Sequence, residues 1–600
     1  MSDKPQVKLI IDDIEVSVPA GTTILKASQK LSKEIPHFCY HDGLPIVGQC
    51  RMCYVEIEGQ KKLATSCSTT VTEGMKVKTD SPAVKQGQNS TLEFVLLDHP
   101  LDCPICDRGG ECKLQDYTYE HGPSRSRMID QKELLLKHHP ISEEVVLDQE
   151  RCILCTRCVR FSSHVDGLSE LVVNERGSHS VINVFEDRPM QSKFSGNVVD
   201  LCPVGALTAQ DFRFKARPWE LRKHSGICTG CSVGCNIEMH TKHRHPGIPR
   251  PDGNQPKPKI ERLIPRENVL VNDWWMCDRG RWGYHFHNED NTHLADPMLR
   301  RKKGSHLEKV SLKEIQLVLE ETSKSQTWEF WISDEASHEE ISWAKSLQQS
   351  WSDRGRNVEM RLNPTEFSPK LLAALDVRKE SPWFSGEVRL DGLTTIVSTY
   401  DSYRALEDIV PILALKLGQK IRLEGLKWVV RSAESMYDAK DDLATTAYLV
   451  PVPKRDADIT ALAKIPASAK ALVLWGAVNS RGLANEGIAP LQALHTALES
   501  AAPRGPVAVF GQTTQNAKNT ALTEYLKKAP FVLLVDSYSS AWSELANVVL
   551  PVEPLYESDM MVTNLFNMKQ ESRGIQIHHP NHVSIRRGTP SPVNPSLRLI

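Results

Sequence analysis

"DHPLDCPICDRGGEC", residues 98–112, sets Cys103, Cys106 and Cys112 on one short loop in the pattern C-x2-C-x5-C. Three thiolates so spaced suit a metal ion or an iron–sulfur cluster, and either needs one more ligand. The chain carries fifteen cysteines, all before residue 278. Its start, "MSDKPQVKLIIDDIEV", has no apolar signal core or Arg-rich transit segment and predicts a cytoplasmic chain. Cysteines in such a chain read as thiolate ligands more readily than as disulfides. Assigning the other twelve decides where the fourth ligand lies.

The first group is Cys39, Cys50 and Cys53 in "CYHDGLPIVGQCRMC", with Cys67 in "ATSC". Ahead of it, "QVKLIIDD" and "IEVSVPAG" alternate as strands do, and a helical stretch runs from Thr23 to Lys33. Strands, a helix and a cysteine loop predict a small β-grasp domain, with Cys67 on a later strand. The arrangement resembles a plant-type [2Fe-2S] ferredoxin, although the first interval holds ten residues where that type has four. Gly43 and Gly48 are expected to let backbone N–H groups approach the cluster sulfurs. A four-cysteine zinc site usually shows two C-x2-C knuckles, and only one occurs here.

Cys152, Cys155 and Cys158 in "CILCTRC" form C-x2-C-x2-C, completed by Cys202 of "CPVGA" after 43 residues, as a [4Fe-4S] cubane requires. A two-cluster ferredoxin would need a further cysteine at position 162, where this chain has Ser162, so one cubane closes here. Cys228, Cys231 and Cys235 of "CTGCSVGC", with Cys277 of "MCDRGRWG", make a second complete set on a different spacing. Only Cys103, Cys106 and Cys112 then remain, and their missing partner is not a cysteine. His99, four residues before Cys103 and just after the helical stretch "NSTLEFVLL", is the candidate. A zinc site of three cysteines and one histidine stays open as the rival, separable by iron analysis.

With 73 basic and 75 acidic residues, the net charge of -2 gives no bulk attraction to nucleic acid or to a charged membrane surface. No run approaches the roughly 20 apolar residues of a membrane span. From 286 to 575 strand-like and helical runs alternate, as in "WEFWIS" then "HEEISWAKSLQQSW" and "PVAVFG" then "TEYLKKAP", which predicts a doubly wound α/β domain. No G-x-G-x-x-G follows a strand and no Walker loop occurs, so nothing looks built for NADH or a nucleotide phosphate. The basic, Pro- and Gly-rich stretch 240–259 reads as a solvated loop, and the Pro-rich tail 576–600 as an extended arm.

H-x3-C-x2-C-x5-C between a long-loop [2Fe-2S] ferredoxin and a C-x2-C-x2-C-x43-C cubane resembles the large iron–sulfur subunit of NADH:quinone oxidoreductase, respiratory complex I, over residues 5 to about 285. Iron-only hydrogenases, and iron–sulfur subunits of NAD-linked formate dehydrogenases and hydrogenases, share parts of it. The fourth cysteine group, the α/β domain and "ANVVLPVEPLYESDMMVTNLFNMKQESR" (546–573) resemble the molybdopterin oxidoreductase fold. No cysteine follows Cys277, so the usual molybdenum ligand has no counterpart, although serine or aspartate serves in some relatives.

The resemblance implies a multidomain α+β and α/β chain. Its segments would be a [2Fe-2S] ferredoxin domain at 1–80, a one-histidine, three-cysteine [4Fe-4S] module at 81–120 and a ferredoxin-like [4Fe-4S] domain at 121–220. A [4Fe-4S] domain of molybdopterin-oxidoreductase type would follow at 221–285, then an α/β domain of that type at 286–575 and the tail. One [2Fe-2S] and three [4Fe-4S] clusters are expected, with no molybdopterin. Electrons would pass from a flavin subunit to the [2Fe-2S] site, the Cys152 cubane and the His99 cubane, leaving through a downstream iron–sulfur subunit towards quinone. The Cys228 cluster would lie off this path. The chain would sit as a peripheral subunit on the cytoplasmic face of a bacterial inner membrane; the competing expectation is a molybdenum formate dehydrogenase catalytic chain.

Overall fold

The computed structural model describes residues 5–289 apart from 186–187, 232 and 243–258, residues 296–362 apart from 303–304, 323–326, 333–337 and 356, and separate elements between 395 and 572. The chain divides into two compact units, Met1–Arg222 with Met276–Asp278, and Lys223–Trp275 with Arg279–Ile600.

The first unit opens with a hairpin of β1 (Gln6–Ile11) and β2 (Ile14–Pro19), paired antiparallel with Ile11 opposite Ile14. Asp12 and Asp13 turn it at φ 46° and 67°, the type I′ geometry whose twist suits the flanking strands. Alternation buries Leu9, Ile11, Val16 and Val18 against α1 (Ile24–Lys30). Thr23 caps α1, its hydroxyl accepting from Lys26 N at 3.4 Å. The helix stops short of the expected Lys33 because Ser32 adopts φ 56°.

Three further strands, β3 (Tyr54–Ile57), β4 (Ala64–Thr65) and β5 (Lys76–Lys78), complete a sheet in the order β2-β1-β5-β3-β4 with β1 and β5 parallel. Cys67 does not lie on a strand. It falls in the turn after β4, where the amides of Ser68 and Thr69 bond back to the Thr65 carbonyl.

Helix α2 (Pro82–Leu96) begins earlier than "NSTLEFVLL", because Ser81 caps it through Val84 N at 3.3 Å and Pro82 occupies the first turn. Lys132 Nζ satisfies the last carbonyls, Leu96 O at 2.7 Å and Leu97 O at 2.6 Å, and so fixes the chain just before His99. Beyond it come α3 (Lys113–His121), β6 (His139–Pro140), β7 (Val145–Leu147) and α4 (Arg157–Arg160). Next are a π-helical turn (Phe161–Asp166), β8 (Leu171–Asn174), β9 (Val181–Val184), α5 (Asn197–Leu201) and β10 (Leu207–Ala209). Ser162 is buried in the π turn, its hydroxyl accepting from Glu170 N at 2.8 Å, so the residue in place of a cysteine organises the following loop.

The second unit carries a three-stranded sheet, β11 (Leu221–Ile227), β12 (Asn236–Lys242) and β13 (Lys259–Pro265). A seven-stranded sheet follows, built from β14 (Met298–Leu299), β15 (Glu308–Lys309), β16 (Trp328–Ile332), β17 (Val358–Leu362), β21 (Val507–Phe510), β22 (Val532–Asp536) and β23 (Val548–Pro551). Its order is β15-β14-β23-β22-β21-β16-β17; the run from β23 to β17 is parallel, with β14 and β15 antiparallel at the edge. Strands β18 (Thr395–Ser398), β19 (Lys427–Val430) and β20 (Ala471–Leu474) form a separate parallel sheet. The strands expected of an α/β region are therefore present among the described residues, but divided between a mixed sheet and a separate parallel one. Nearly all of the basic stretch (243–258), the tail 576–600, the run "LQALHTALES" and most of 552–568 lie outside the described residues. Among the described residues no helix is long and apolar enough to cross a membrane.

Trp328 meets Trp351 edge-on at 5.1 Å, with Phe330 at 5.5 Å from Trp351, in a cluster that includes Leu533 and Leu550. Replacing Trp351 by Phe keeps an apolar ring and removes part of its volume. We expect a loss of about 1–2 kcal/mol in unfolding of this domain, below the ~3–5 kcal/mol of truncation to Ala, with the iron content of the chain unchanged.

Candidate metal centres

The thiols of Cys39, Cys50, Cys53 and Cys67 meet in a chain of contacts, Cys50 to Cys39, Cys39 to Cys67 and Cys67 to Cys53. Hydrogen bonds from Cys50 and Cys67 drive Cys39 down, and the same contacts drive Cys50 and Cys67 up; Cys67 holds Cys53 down at about 7. One site thus favours thiolate at two of its sulfurs, the form that binds metal. Gly48 at φ 63° and Arg51 at φ 59° bend the loop, and Cys39 N donates to Cys50 Sγ at 3.4 Å. Gly43 does not serve as expected, because its amide donates to His41 Nδ1 at 3.1 Å.

Cys152, Cys155, Cys158 and Cys202 all line one cavity, walled by Leu147, Ile153, Ile182, Val204 and Leu207. It encloses about 350 Å3 free of protein atoms, part of it open to solvent. Burial pushes the Cys155 thiol up to about 11 and raises Cys152 and Cys158 as well, so loading this site means releasing protons. Leu154 at φ 51° and Thr156 at φ 57° coil the loop, and Leu154 N donates to Cys152 Sγ at 3.4 Å.

The two loops are joined by side chains the sequence did not single out. Arg160 donates to Pro45 O at 2.6 Å, to Cys155 O at 3.3 Å and to Cys39 O. Arg157, one turn earlier on α4, donates to Tyr40 O at 2.5 Å and to Leu201 O at 3.2 Å. Gln49 reaches Leu154 O at 2.7 Å. The only sequence signal was the i, i+3 spacing of Arg157 and Arg160 inside "CTRCVR".

Cys103, Cys106 and Cys112 stand within electrostatic reach of one another, Cys103 exposed and the others buried. Arg108 donates to Cys202 O at 2.6 Å and Arg217 to Cys106 O and Pro104 O, both at 2.5 Å. These bonds tie the loop to the segment after α5. Gly205 lies so close that a Cβ there would fall 2.1 Å from Cys106 Sγ. Asp102 bonds Lys137 at 2.5 Å and Arg151 at 2.8 Å, which anchors the chain between His99 and Cys103. His99 Nδ1 is buried with no hydrogen-bond partner among the described residues, an arrangement that costs about 1–3 kcal/mol unless a ligand satisfies it.

Cys228, Cys231 and Cys235 share the loop between β11 and β12, where Cys228 N donates to Cys235 O at 2.8 Å and Gly230 N to Cys228 Sγ at 3.4 Å. Gly234 at φ 64° provides the return. Cys277 belongs to the first unit, where Asp278 accepts from Ser195 N at 2.7 Å and Gly196 N at 2.8 Å. Among the described residues no three His, Cys, Asp or Glu converge on a point that one metal ion could occupy.

His41 and His99 are both pushed down to about 4, chiefly by burial, with Arg157 beside the first and Lys132 near the second. Their folded values lie below the unfolded value of about 6.5, so the unfolded chain binds more protons as pH falls. Stability they contribute is complete above pH ~6.5 and lost towards pH ~4. Urea titration of the cluster-free chain should show this decline, and His41→Asn should flatten it by up to about 1.4 kcal/mol per pH unit.

Residues 4–82 match a 2Fe-2S iron-sulfur cluster binding domain, residues 88–127 the NADH-ubiquinone oxidoreductase-G iron-sulfur binding region, and residues 142–208 the ferredoxin-like domain of NADH-quinone oxidoreductase subunit 3. Over 300 residues the chain is 42% identical to the G subunit of the NADH-quinone oxidoreductase of Streptomyces coelicolor, an alignment covering 50% of this chain and 34% of that protein. Its N-terminal half is thus similar to NADH-quinone oxidoreductase G subunits. The likeness extends to the mitochondrial NADH dehydrogenase [ubiquinone] iron-sulfur protein 1 of Solanum tuberosum, 40% identical over 300 residues, or 50% of this chain and 38% of that protein. The alignments span little more than a third of the length of these curated relatives. Two solved structures match at low TM-score: an NAD+-reducing [NiFe]-hydrogenase (28% identity, 35% of this chain and 90% of that one, TM-score 0.33) and acetylene hydratase from Pelobacter acetylenicus (11% identity, 63% and 68%, TM-score 0.36).

Proposed function

We propose that the chain is an electron-transferring iron–sulfur subunit of an NADH:quinone oxidoreductase. Cys39, Cys50, Cys53 and Cys67 would hold a [2Fe-2S] cluster. Three [4Fe-4S] clusters would be held by Cys152, Cys155, Cys158 and Cys202, by His99, Cys103, Cys106 and Cys112, and by Cys228, Cys231, Cys235 and Cys277. When bound, each supplies a one-electron carrier whose potential follows ligand type, hydrogen bonding and burial. The observation that carries the reading is the arginine linkage between ligand loops: Arg157 and Arg160 from the Cys39 loop to the Cys152 set, and Arg108 from Cys202 to the Cys103 loop.

That linkage supports the order that the resemblance implies, Cys39 set, Cys152 set, Cys103 set, in which electrons would enter from a flavin subunit and leave to a downstream iron–sulfur subunit. In this reading the Cys228 set lies off the path and fastens the start of the α/β region, which packs against neighbouring subunits and holds no molybdopterin. The chain would be peripheral, on the cytoplasmic face of the inner membrane of a bacterium.

Metal analysis of the fully loaded chain tests this: about fourteen irons are expected, with negligible zinc and molybdenum. Stoichiometric zinc would overturn the relay, and stoichiometric molybdenum with pterin would favour the formate dehydrogenase alternative.

A further inference from the structure

We propose that Arg160 is the positioning residue for electron transfer between the Cys39 and Cys152 centres, its one guanidinium holding both ligand loops and setting both potentials. The inference rests on the functional reading above. Its first support is geometric. Arg160 is buried, and its donors fan out to the carbonyls of Cys39 and Cys155, each itself a proposed ligand, and to Pro45 O at 2.6 Å. A planar fork of five donors can satisfy acceptors on two loops at once; an ammonium offers a single point of charge.

The second support is electrostatic. Among the described residues every hydrogen-bond partner of the guanidinium is neutral, namely those three carbonyls and the Thr156 hydroxyl at 3.4 Å. A buried cation with no carboxylate in contact is costly unless negative charge lies close by. The cysteines whose fields reach it are Cys39, Cys155 and Cys158, all proposed cluster ligands, with the Arg157 cation opposing them. Thiolate-bound clusters on either side would provide that charge, and each gains a further electron on reduction. The cation therefore favours the reduced form of both. In the transfer itself one electron leaves the Cys39 centre and one enters the Cys152 centre, while Arg160 keeps its proton and no bond is made or broken.

The test uses the full chain loaded anaerobically with iron and sulfide, poised at fixed potentials and read by EPR. In Arg160→Gln the reduced-to-oxidised ratio of both centres at a given poise should fall about tenfold, equal to 59 mV for a one-electron centre. The signals of the other two clusters should not move. Arg160→Lys keeps the charge and loses the fork, so both potentials should return to within about twofold of the parent, yet the faster spin relaxation that the reduced cubane confers on the [2Fe-2S] signal should weaken.

A shift at one centre alone, or at neither, would overturn the proposal. If Arg160→Gln loads no clusters, Arg160→Lys decides by itself, and unchanged spin relaxation there counts against it. A parent chain that never develops the two signals defeats the underlying reading instead.

Discussion

His99→Ala should abolish the signal of the cluster assigned to Cys103, Cys106 and Cys112, leave the other three signals in place and, if the chain serves the proposed complex, lower its quinone reduction more than about a hundredfold. The size follows from metal sites in general, where losing even an outer partner costs up to about a hundredfold in affinity or activity. Specificity follows from ligand arithmetic, since in the proposed assignment the other twelve cysteines form complete sets. His99 is prepared for ligation in three ways. Its pKa of about 4 keeps the imidazole neutral at pH 7, the form that binds metal. Its Nδ1 is buried without a partner among the described residues. The backbone on either side is fixed, by Lys132 on Leu96 O and Leu97 O and by Lys137 and Arg151 on Asp102. Low-temperature EPR with iron counting decides: a full set of signals and about fourteen irons in the variant would remove His99 from the ligand set.

The cysteine pattern made the N-terminal half legible because ligand spacing is a local property. A C-x2-C turn must bend back on itself within a few residues, and Arg51, Leu154 and Thr156 do so at positive φ. The β1–β2 hairpin was legible for the same reason, from alternation and a two-aspartate turn. What escaped the sequence is what distant segments decide together. Arg160 meets Cys39 across 121 positions, and Arg217 meets Cys106 across 111, so neither contact leaves a trace in local pattern.

Gly43 and Cys67 were misread at finer grain, because an amide's partner and a strand's last residue depend on the side chains that surround them. The α/β half read correctly as alternating elements, but pairing chooses the sheet. Strand β14 joins β23 from some 250 residues away, while β18 to β20 keep to themselves. No hydrophobic period encodes that choice.

Gly205→Ala should leave the cluster-free chain nearly as stable as the parent and yet prevent the Cys103 loop from loading. Gly205 follows Cys202 in "CPVGA", and the added methyl would fall 2.1 Å from Cys106 Sγ and 3.2 Å from the Arg108 Cβ. Without iron the thiol is the free end of a short side chain and can rotate away, so the cost is that of mild overpacking, about 1 kcal/mol. Once Cys106 is a ligand its sulfur is fixed by the metal, and the same methyl stands where the sulfur must be. The methyl also presses on Arg108, whose guanidinium holds Cys202 O at 2.6 Å, so the neighbouring Cys152 site feels a smaller disturbance. The expected outcome is a loss of about four irons and of one EPR signal, with the melting temperature of the cluster-free chain lowered by no more than a few degrees. A variant that loads all its iron would show that Cys106 binds none. A variant that fails to fold without iron would show instead that the close approach at Gly205 is a packing contact of the polypeptide alone.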